Sequence, residues 1–590
     1  MWSLYCILLL LVGLLQHPYL AYARERTYEI DLTLGEVNPD CYQESYTRLL
    51  VNNQFPAPPI RVARNDKVRI IVRNSIDTGM PATIHYHGIM QIGSTEMDGM
   101  PNVTQVAIQP GEEFHHEFRV INQSGTYFYH AHVNFQDNSV FGPFIVYEDK
   151  ESWPSDSKHP KSLRDGPYLY HDERIIMLSE WWHQSEQEQL DYVFGPKYRG
   201  MIPAHSYLIN GRTVYDPSNV TDDTHCEGYS AIDVEPGKTY RLRIIGSTSF
   251  ATLGFAIAKH TMTVIEVDGG LIKPYRTSYL EVASGQRFSV LVTADQPPDS
   301  YLISTRTYWV DYAVDRNGLA VFRYTNERPY RHQRARHDFE PYRRGPVSKP
   351  QIFSATASNA SNPEMFAFPP AKNEWFFPEF EPLDSPDHDF TSPPDRTVVL
   401  TPIERRLPDG TVRWFINEHE PPTWDVPLLT QLAQLKRIAV NETAVHLNRQ
   451  SILFDGYDHF KQVYPVMYNE VIDFVIQTTT LEGIGICAGH PWHTHGYSHY
   501  AIAHGPGEYV HQRDKDIRTY NNPIPKDITF VYPVQPAVNA SGIPCGWTKI
   551  RMFITNPGLW AFHCHITGHM LQGMITVLEA APEMIPYLQK

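Results

Sequence analysis

The chain has 590 residues, a formal net charge of −16 at pH 7 and six cysteines. One hydrophobic core does not extend over so long a chain, so two to four domains are expected. The negative charge disfavours nucleic acid and other polyanions as partners, and it says little about neutral small molecules.

The first 23 residues have the features of a secretory signal peptide. They carry no charged side chain, and their apolar run between residues 4 and 15 is too short to span a bilayer. Small residues at 21 and 23 then offer a cleavage site. Six Asn-x-Ser/Thr sequons follow, which fits a glycoprotein. We therefore expect a protein of the secretory pathway, located outside the cell, in the cell wall or in secretory vesicles, with no membrane span in the mature chain.

Two closely spaced histidine pairs lie near the N-terminus: His85 and His87, and His130 and His132. Side chains two residues apart share one face of a strand, so each pair directs two imidazoles to the same side. A single pair of this kind is more often incidental than functional. Similar groups recur near the C-terminus, and together they hold more imidazoles than one mononuclear metal site can use.

The chain repeats its pattern between its two ends. Residues 124–132 and 556–565 have similar sequences, and both follow a histidine motif and precede an apolar closing segment. Alternating strand runs with Gly and Pro turns predict β-sandwiches. The middle third has strand-like runs such as 239–245 but no histidine pair. Residues 331–395 are polar and Pro-rich; their basic start, 331–337, could bind polyanions, but we predict a solvated linker.

The most informative motif lies near the C-terminus, where Cys564 stands between His563 and His565 and is followed by His569 and Met574. A thiolate with two imidazoles and a weak axial thioether is the ligand set of a blue-copper electron-transfer site. Cys564, His569 and Met574 supply three of these four groups. In a strand, His563 and His565 point away from the side of Cys564, so they can bind a second, adjacent metal centre.

The missing imidazole is predicted in the segment that contains His490, His493 and His495. His493 and His495 share a strand face, whereas His490 lies an odd distance away beside a proline and can face Cys564. Zinc could occupy one isolated Cys/His site, but it has no redox chemistry and does not need a cysteine that joins two centres. The pattern therefore favours copper.

On these motifs the chain resembles the multicopper oxidases of the laccase and ascorbate oxidase family, over nearly its whole mature length. The resemblance implies an all-β fold of three cupredoxin-like, Greek-key β-sandwich domains, at residues 24–150, 165–330 and 396–590, with the type 1 copper in the third. It also implies four copper ions per chain. An enzyme of this kind takes single electrons from a reducing substrate and uses four of them to reduce dioxygen to water.

The resemblance assigns a role to each metal-binding side chain. The implied type 1 ligands are His490, Cys564, His569 and the axial Met574. The implied type 2 ligands are His85 and His493. The implied type 3 ligands are His87, His130, His132, His495, His563 and His565.

Asp98 matches the acidic residue that the family places near the trinuclear cluster, which implies a proton-relay role. A turn-forming Asp-Gly pair is the alternative interpretation. The family usually carries a second acid three residues after the ligand cysteine, where this chain has Thr567. Glu180 and His205 fall where laccases place substrate-cleft residues, although a surface loop histidine is an equal alternative for His205.

Four cysteines remain once Cys6 leaves with the signal and Cys564 is assigned to copper, and they allow three pairings. The segment around Cys41 resembles an ascorbate oxidase segment whose cysteine is bridged to the second domain. That resemblance implies Cys41–Cys226 and leaves Cys487–Cys545.

The predicted function is that of a laccase-like oxidase with a small phenolic substrate. It would perform one-electron oxidation, with oxidative coupling, of phenolic or naphthol secondary metabolites or pigment precursors. A ferroxidase is the first alternative and would require clustered carboxylates near the type 1 histidines. Ascorbate oxidase activity, favoured mainly by Met574, is a weaker one. A copper storage protein is the non-enzymatic alternative and would lack the blue absorption. The sequence leaves open whether a partner protein steers the coupling.

Overall fold

The computed structural model describes residues 24–154, 162–219, 227–309, 318–325, 377–385, 388–438, 456–533 and 540–585. The predicted signal peptide, 1–23, and the basic run, 331–337, lie outside these ranges. The described chain forms β-sandwiches that follow one another along the sequence, as the all-β, cupredoxin-like class predicts.

The first sandwich packs the sheet β2-β1-β4-β6 against the sheet β3-β8-β7-β5. Its strands are β1 Glu25–Val37, β2 Tyr46–Val51, β3 Ile60–Ala63, β4 Lys67–Asn74, β5 Ile84–His87, β6 Glu113–Arg119, β7 Gly125–Ala131 and β8 Phe141–Tyr147. Burial alternates strictly along β4, so Val68, Ile70 and Val72 fill the core and their neighbours face outward. In contrast, β5, β7 and β8 are buried along their whole length, which shows that this sheet is covered on both faces. Short 3₁₀ helices span Thr95–Met97 and Gln136–Asn138.

The second sandwich contains a six-stranded and a five-stranded sheet, ordered β12-β11-β14-β19-β16-β17 and β13-β21-β20-β15-β18. Its strands, with the hairpin β9–β10, are β9 Leu163–Asp165, β10 Tyr168–Tyr170, β11 Asp172–Trp181, β12 Ser206–Ile209, β13 Ser230–Val234, β14 Thr239–Gly246, β15 Thr252–Ile257, β16 Met262–Val267, β17 Gly270–Thr277, β18 Leu280–Val282, β19 Arg287–Thr293, β20 Ser300–Tyr308 and β21 Leu319–Tyr324. Helix α1, Glu186–Val193, begins with a capping box of Ser185 and Glu188. A 3₁₀ turn spans Pro217–Asn219.

The third sandwich packs the sheet β22-β26-β31-β28-β29 against β25-β33-β32-β27-β30, with the hairpin β23–β24 alongside. Its strands are β22 Arg396–Leu400, β23 Pro402–Arg406, β24 Val412–Ile416, β25 Tyr464–Val466, β26 Val471–Thr479, β27 His490–Thr494, β28 His499–Gly505, β29 Pro525–Lys526, β30 Ile528–Val531, β31 Pro544–Phe553, β32 Gly558–Cys564 and β33 Ile575–Ala580. Its helices are α2 Leu428–Ile438, α3 His511–Asp514, α4 Thr567–Leu571 and the 3₁₀ helix Pro582–Met584.

The first and third sandwiches contact each other directly. The N–H of Leu428 in α2 donates to the carbonyl of Asn102 (3.0 Å), and Leu429, Val103 and Leu559 share one apolar cluster. The hydroxyl oxygen of Thr95 accepts a hydrogen bond from the N–H of Leu559 (3.1 Å). The same hydroxyl donates to the carbonyl of Leu559 (3.2 Å). This contact brings the sheet that contains β5 and β7 against the sheet that contains β27 and β32.

The predicted linker, 331–395, is described only at 377–385 and 388–395. There the chain is not solvated throughout, because Phe377 and Phe380 are buried in the core of the second sandwich; the linker assignment for the rest of the segment stays a prediction. The N–H of Lys273 donates to the carbonyl of Glu381 (2.8 Å), which extends the edge at β17. Across the described ranges no helix combines the length and the apolar character that crossing a membrane requires.

Candidate metal centres

Strand pairing brings the predicted histidines face to face. In the first sandwich His85 of β5 lies opposite His130 of β7, and in the third His493 of β27 lies opposite His563 of β32. Because the two sheets meet, the imidazoles of His85 and His493 come within 5.7 Å of each other, centroid to centroid. A single buried cluster therefore draws its side chains from residues hundreds of positions apart.

Eight imidazoles of this cluster fall into three groups whose ligand atoms lie within 4.8 Å of one another. The groups are His85, His87 and His493; His87, His130 and His565; and His132, His495 and His563. The second and third groups divide the six predicted type 3 ligands into two sets of three. The two neighbours of Cys564 are thus separated, with His565 in one set and His563 in the other.

The hydrogen bonds of this cluster leave imidazole nitrogens directed at its centre. Nδ1 of His85, His130 and His493 each bonds to a backbone carbonyl, at 2.7, 2.9 and 2.9 Å. The Nε2 atoms of these three side chains are buried and have no hydrogen-bond partner in the described structure. A carbonyl on one nitrogen fixes the tautomer and directs the other lone pair outward, as in metal-binding histidines.

Two close contacts between imidazole nitrogens also fit bound metal ions. Nε2 of His495 lies 3.1 Å from Nε2 of His563, and Nε2 of His565 lies 3.2 Å from Nδ1 of His87. Burial lowers the pKa of all four imidazoles below the ordinary value, with further lowering from neighbouring imidazoles, so they are neutral at pH 7. Neutral, desolvated lone pairs facing one another are the state that binds a metal ion without first losing a proton.

Asp98 lies directly behind this cluster. Its Oδ2 is 2.8 Å from Nδ1 of His495, and its Oδ1 is 3.4 Å from Nδ1 of His85. Burial alone would raise the pKa of Asp98, but the two imidazoles hold it well below its ordinary value. The following Gly99 has a φ of +84°, and a Cβ there would lie 1.9 Å from the carbonyl oxygen of Ile84. The Asp-Gly pair is therefore both a tight turn and a contact to two predicted ligands.

The second centre lies on the other side of Cys564. Its Sγ is 3.7 Å from Nδ1 of His490, and His569 completes a group of three ligand atoms. Nδ1 of His569 is buried without a hydrogen-bond partner in the described chain. Burial raises the pKa of the Cys564 thiol, so the thiolate requires a bound cation, and copper is a metal that thiolate and imidazole select.

Backbone hydrogen bonds around Cys564 bring the predicted axial ligand, Met574, next to Cys564 and His569. The N–H of Cys564 donates to the carbonyl of Met574 (3.0 Å), and the N–H of Met574 donates to the carbonyl of His569 (2.9 Å). The chain can turn back to Cys564 at this point because residue 573 is glycine, with a φ of +115°. A Cβ there would lie 2.4 Å from Pro421 and 2.7 Å from the carbonyl of Trp414. Met574 is fully buried.

A buried ion pair that sequence analysis missed supports the histidine cluster. Arg287, at the start of β19, donates to both carboxylate oxygens of Asp527 (2.5 Å each) and to the carbonyl of Thr126 (3.2 Å). Asp527 in turn lies 3.2 Å from Nε2 of His87, and its carbonyl bonds to Nδ1 of His493. One guanidinium of the second sandwich therefore links the first and third sandwiches behind two predicted ligands.

Glu180 and His205, the two residues predicted to line the substrate cleft, each make hydrogen bonds within the protein. The carboxylate of Glu180 is buried and accepts three backbone N–H bonds from residues 249–251 (2.8–3.1 Å). Burial raises its pKa to about 8, and these N–H groups oppose that shift. Glu180 therefore holds the turn at residues 249–251, and its place in a substrate cleft stays a prediction. His205 accepts from the N–H of His183 (3.1 Å), whose ring bonds to Asp40 of the first sandwich (2.8 Å).

The cysteines follow the predicted pairing as far as the described chain extends. Cys487 and Cys545 form a disulfide within the third sandwich. Cys41 is disulfide-bonded, and its predicted partner Cys226 lies outside the described residues. Cys564 is a free, buried cysteine.

Comparisons with known proteins agree with this site. The L-ascorbate oxidase of Cucumis sativus is 28% identical over 95% of this chain and 89% of its own length. The laccase-like multicopper oxidase 1 of Thermothelomyces thermophilus is 28% identical over 92% of this chain and 85% of its own length. The crystal structure of Fet3p, described as a multicopper oxidase that functions in iron import, shares the fold with a TM-score of 0.68, at 23% identity, over 95% of this chain and 91% of that one.

Family models described as multicopper oxidase match three successive parts of the chain, at 31–151, 172–327 and 423–584. These matches cover most of the sequence and include every histidine group of the cluster. The copper chemistry that the ligand atoms favour is the chemistry of this family. The chain belongs to the multicopper oxidases, and it is a copper-dependent oxidoreductase.

Proposed function

We propose that this enzyme is a laccase-like phenol oxidase that couples one-electron oxidation of phenolic or naphthol-type donors to the reduction of dioxygen to water. One observation carries the proposal: Cys564 belongs to one group of metal ligands, while its neighbours His563 and His565 belong to two others. The ligand roles proposed for the individual residues are those implied by the family resemblance. A copper storage protein has no need of a tripeptide that joins separate centres.

Bound copper supplies the one-electron redox chemistry at both centres. His490, Cys564, His569 and Met574 would hold the electron-accepting copper. His569 is the more exposed of the two imidazoles, at 5% against 1% for His490. We therefore assign electron transfer from the donor to the edge of His569. From the Cys564 sulfur, the backbone leads to both neighbouring histidines. A hydrogen bond from Nδ1 of His563 to the carbonyl of Cys564 (2.9 Å) adds a second connection.

The surroundings of His569 favour an aromatic donor. The indole of Trp414 lies 5.1 Å from its ring, centroid to centroid. Met201 packs beside Gly568, so closely that a Cβ on this glycine would lie 2.4 Å from the Met201 sulfur. An apolar cluster of Phe135, Val193, Tyr198 and Val412, against which Met201 packs, continues from this point. Trp414 and these four side chains are themselves buried, so the apolar contact they leave for a donor is the partly exposed Met201 beside the edge of His569. A thioether there suits a flat phenol and offers little to a hydrated metal ion.

Secretion, glycosylation and a role in pigment or secondary-metabolite chemistry belong to the same proposal. Their support is the signal-like N-terminus, the six sequons and the resemblance to fungal enzymes that couple phenols. The ferroxidase and ascorbate oxidase alternatives use the same copper centres. They differ from the proposed function only in the donor, so a comparison of donors separates them.

The test is oxygen uptake by the copper-loaded enzyme with a naphthol-type phenol, ferrous iron and ascorbate. We expect the highest kcat/KM with the phenol. Met201→Lys places a charge beside His569 and should lower kcat/KM for the phenol about 10-fold while changing that for iron less, because an apolar contact is replaced by a cation. Leu169→Lys adds the same charge at a 60% exposed position of the same sandwich and should change neither. Faster uptake with iron than with the phenol would contradict the proposal.

A further inference from the structure

A small, partly open cavity lies between the histidine groups and Thr567, the position where the family usually carries an acid. Its volume is about 10 Å³, enough for about one water molecule. It is lined by His130, His132, Asn134, Asp137, His563 and Thr567, among others. A small space that touches histidines of both type 3 groups is where dioxygen reduction would need its protons.

The carboxylate in this cavity comes from a distant part of the chain. Asp137 lies in the 3₁₀ helix Gln136–Asn138 of the first sandwich, and its Oδ2 accepts a hydrogen bond from the Thr567 hydroxyl. Its Oδ1 is buried and has no well-formed hydrogen bond in the described structure, although the backbone N–H groups of residues 137 and 138 lie near the carboxylate and oppose the rise of its pKa. A buried carboxylate oxygen without a donor is costly unless the group carries a proton or contacts water. Thr567 thus holds a carboxylate at the place where the family's own acid would project.

A second acid connects Asp137 to the surface. Glu186, the partly exposed first residue of α1, interacts with the Asn134 side chain and with the backbone of Phe135. Asn134 itself lines the cavity. Burial raises the pKa of Asp137 to about 7, a shift that Thr567 opposes and Glu186 increases. Burial also raises the pKa of Glu186 to about 7, while Arg48 opposes that shift.

Two further charged side chains, Glu180 and Arg48, interact with Asp137 or Glu186, and each is held in place by backbone groups. Glu180 interacts with Asp137 through its charge, but its carboxylate is held by backbone N–H groups. Arg48 donates to the carbonyls of Trp182 and Gln184.

We propose that Asp137 supplies protons to the cavity between the histidine groups and that Glu186 returns protons to it from solvent, so that this pair replaces the acid missing at Thr567. Reduction of one dioxygen to two waters consumes four electrons, which the donor provides through the type 1 centre, and four protons. In each transfer the carboxylic acid of Asp137 loses its O–H proton to the cavity, and the carboxylate is reprotonated through Glu186. The inference rests on the proposed reduction of dioxygen at this cluster.

The experiment compares Asp137→Asn with the parent copper-loaded enzyme. Copper content, blue absorbance and the rate at which the donor reduces the type 1 centre should be unchanged. Reoxidation of the fully reduced enzyme by dioxygen should slow about 100-fold, the lower end of what a positioned proton donor contributes. Infrared spectra, which do not depend on turnover, should show a protonated-carboxyl band at pH 6 that decreases in Asp137→Asn.

A matched control and a swap variant make the result specific. Glu281→Gln removes another buried acid, whose pKa burial also raises, to about 8, and which contacts Trp309 away from the cavity. It should reduce the same infrared band and leave reoxidation unchanged. The double variant Asp137→Thr with Thr567→Asp exchanges the two hydrogen-bonded side chains and should restore fast reoxidation. Glu186→Gln should slow reoxidation less than Asp137→Asn does, because water can partly replace an exposed group.

Parental reoxidation in Asp137→Asn with full copper would overturn the inference, and so would an unchanged carboxyl band. If Asp137→Asn loses copper, the swap variant decides: parental copper and fast reoxidation support the inference, and any slower reoxidation or loss of copper overturns it. Failure of the parent to consume dioxygen with any donor would instead remove the proposed function, while the infrared result would still report the protonation of Asp137.

Discussion

Replacing Arg287 by methionine tests whether the second sandwich holds the histidine cluster in place. The Arg287 side chain is fully buried, and Met fills part of its volume without a charge. The change leaves the buried carboxylate of Asp527 without its bidentate partner, 3.2 Å from Nε2 of His87. It also removes the hydrogen bond to the carbonyl of Thr126 and leaves Asp268 without the cation 3.4 Å away.

The expected magnitude follows from the loss of one member of a buried ion pair. Such changes cost about 3–5 kcal/mol, because the remaining charge stays desolvated and unpaired. At about 2–4 °C per kcal/mol for a domain of this size, the thermal transition should fall by roughly 6–20 °C. Copper should be lost from the histidine cluster first, because within the described residues Asp527 contacts His87 and His493 and no ligand of the Cys564 centre.

The assay combines scanning calorimetry of the copper-loaded enzyme with copper analysis and electron paramagnetic resonance. Arg287→Met should lower the transition and lose copper from the histidine cluster while it keeps the blue absorbance. The matched control, Arg73→Met, removes a surface guanidinium that pairs with Glu29 and Glu113, and it should change neither quantity because exposed pairs contribute little. An Arg287→Met enzyme with the parent's transition and full copper would refute the reasoning.

Three further predictions follow from the same contacts. Met574→Leu should raise the type 1 potential, because a thioether stabilises the oxidised metal; a redox titration of the blue band measures it, and a lower potential would count against axial ligation. Asp98→Asn should slow dioxygen reduction and keep the blue band, and parental turnover would remove Asp98 from the mechanism. Replacing both Cys487 and Cys545 by serine should lower the unfolding free energy of the third sandwich by about 4 kcal/mol, the chain-entropy value for a separation of 58 residues; an unchanged denaturation midpoint would contradict this.

The predicted ligands could be found from sequence because their chemistry is encoded in local spacing. Cys564 between His563 and His565 fixes opposite strand faces, and the structure has this motif at the end of β32. The division of the type 3 histidines into two sets could not be predicted. It depends on how β5 and β7 of the first sandwich meet β27 and β32 of the third, and no local pattern reports that packing.

The supporting contacts were missed because the two residues of each pair are far apart in sequence. Thr567 and Asp137 are separated by 430 residues, and Arg287 and Asp527 by 240. Buried ion pairs and hydrogen bonds at such separations leave no periodic signal in one sequence. The buried Phe377 could have been found, because aromatic residues in a polar, Pro-rich segment indicate a place where the chain returns to a core.

Cys564→Ser tests the central claim most directly, because this cysteine is proposed to bind one copper and to connect it to the others. Copper content, the blue absorbance and oxygen uptake should be measured together on the parent and the variant. We predict four copper ions, a blue band and phenol-driven oxygen uptake in the parent. The variant should keep three copper ions in the histidine cluster and lose both the blue band and the uptake. Parental oxygen uptake in the variant, or a parent that binds copper without a blue band, would contradict the account.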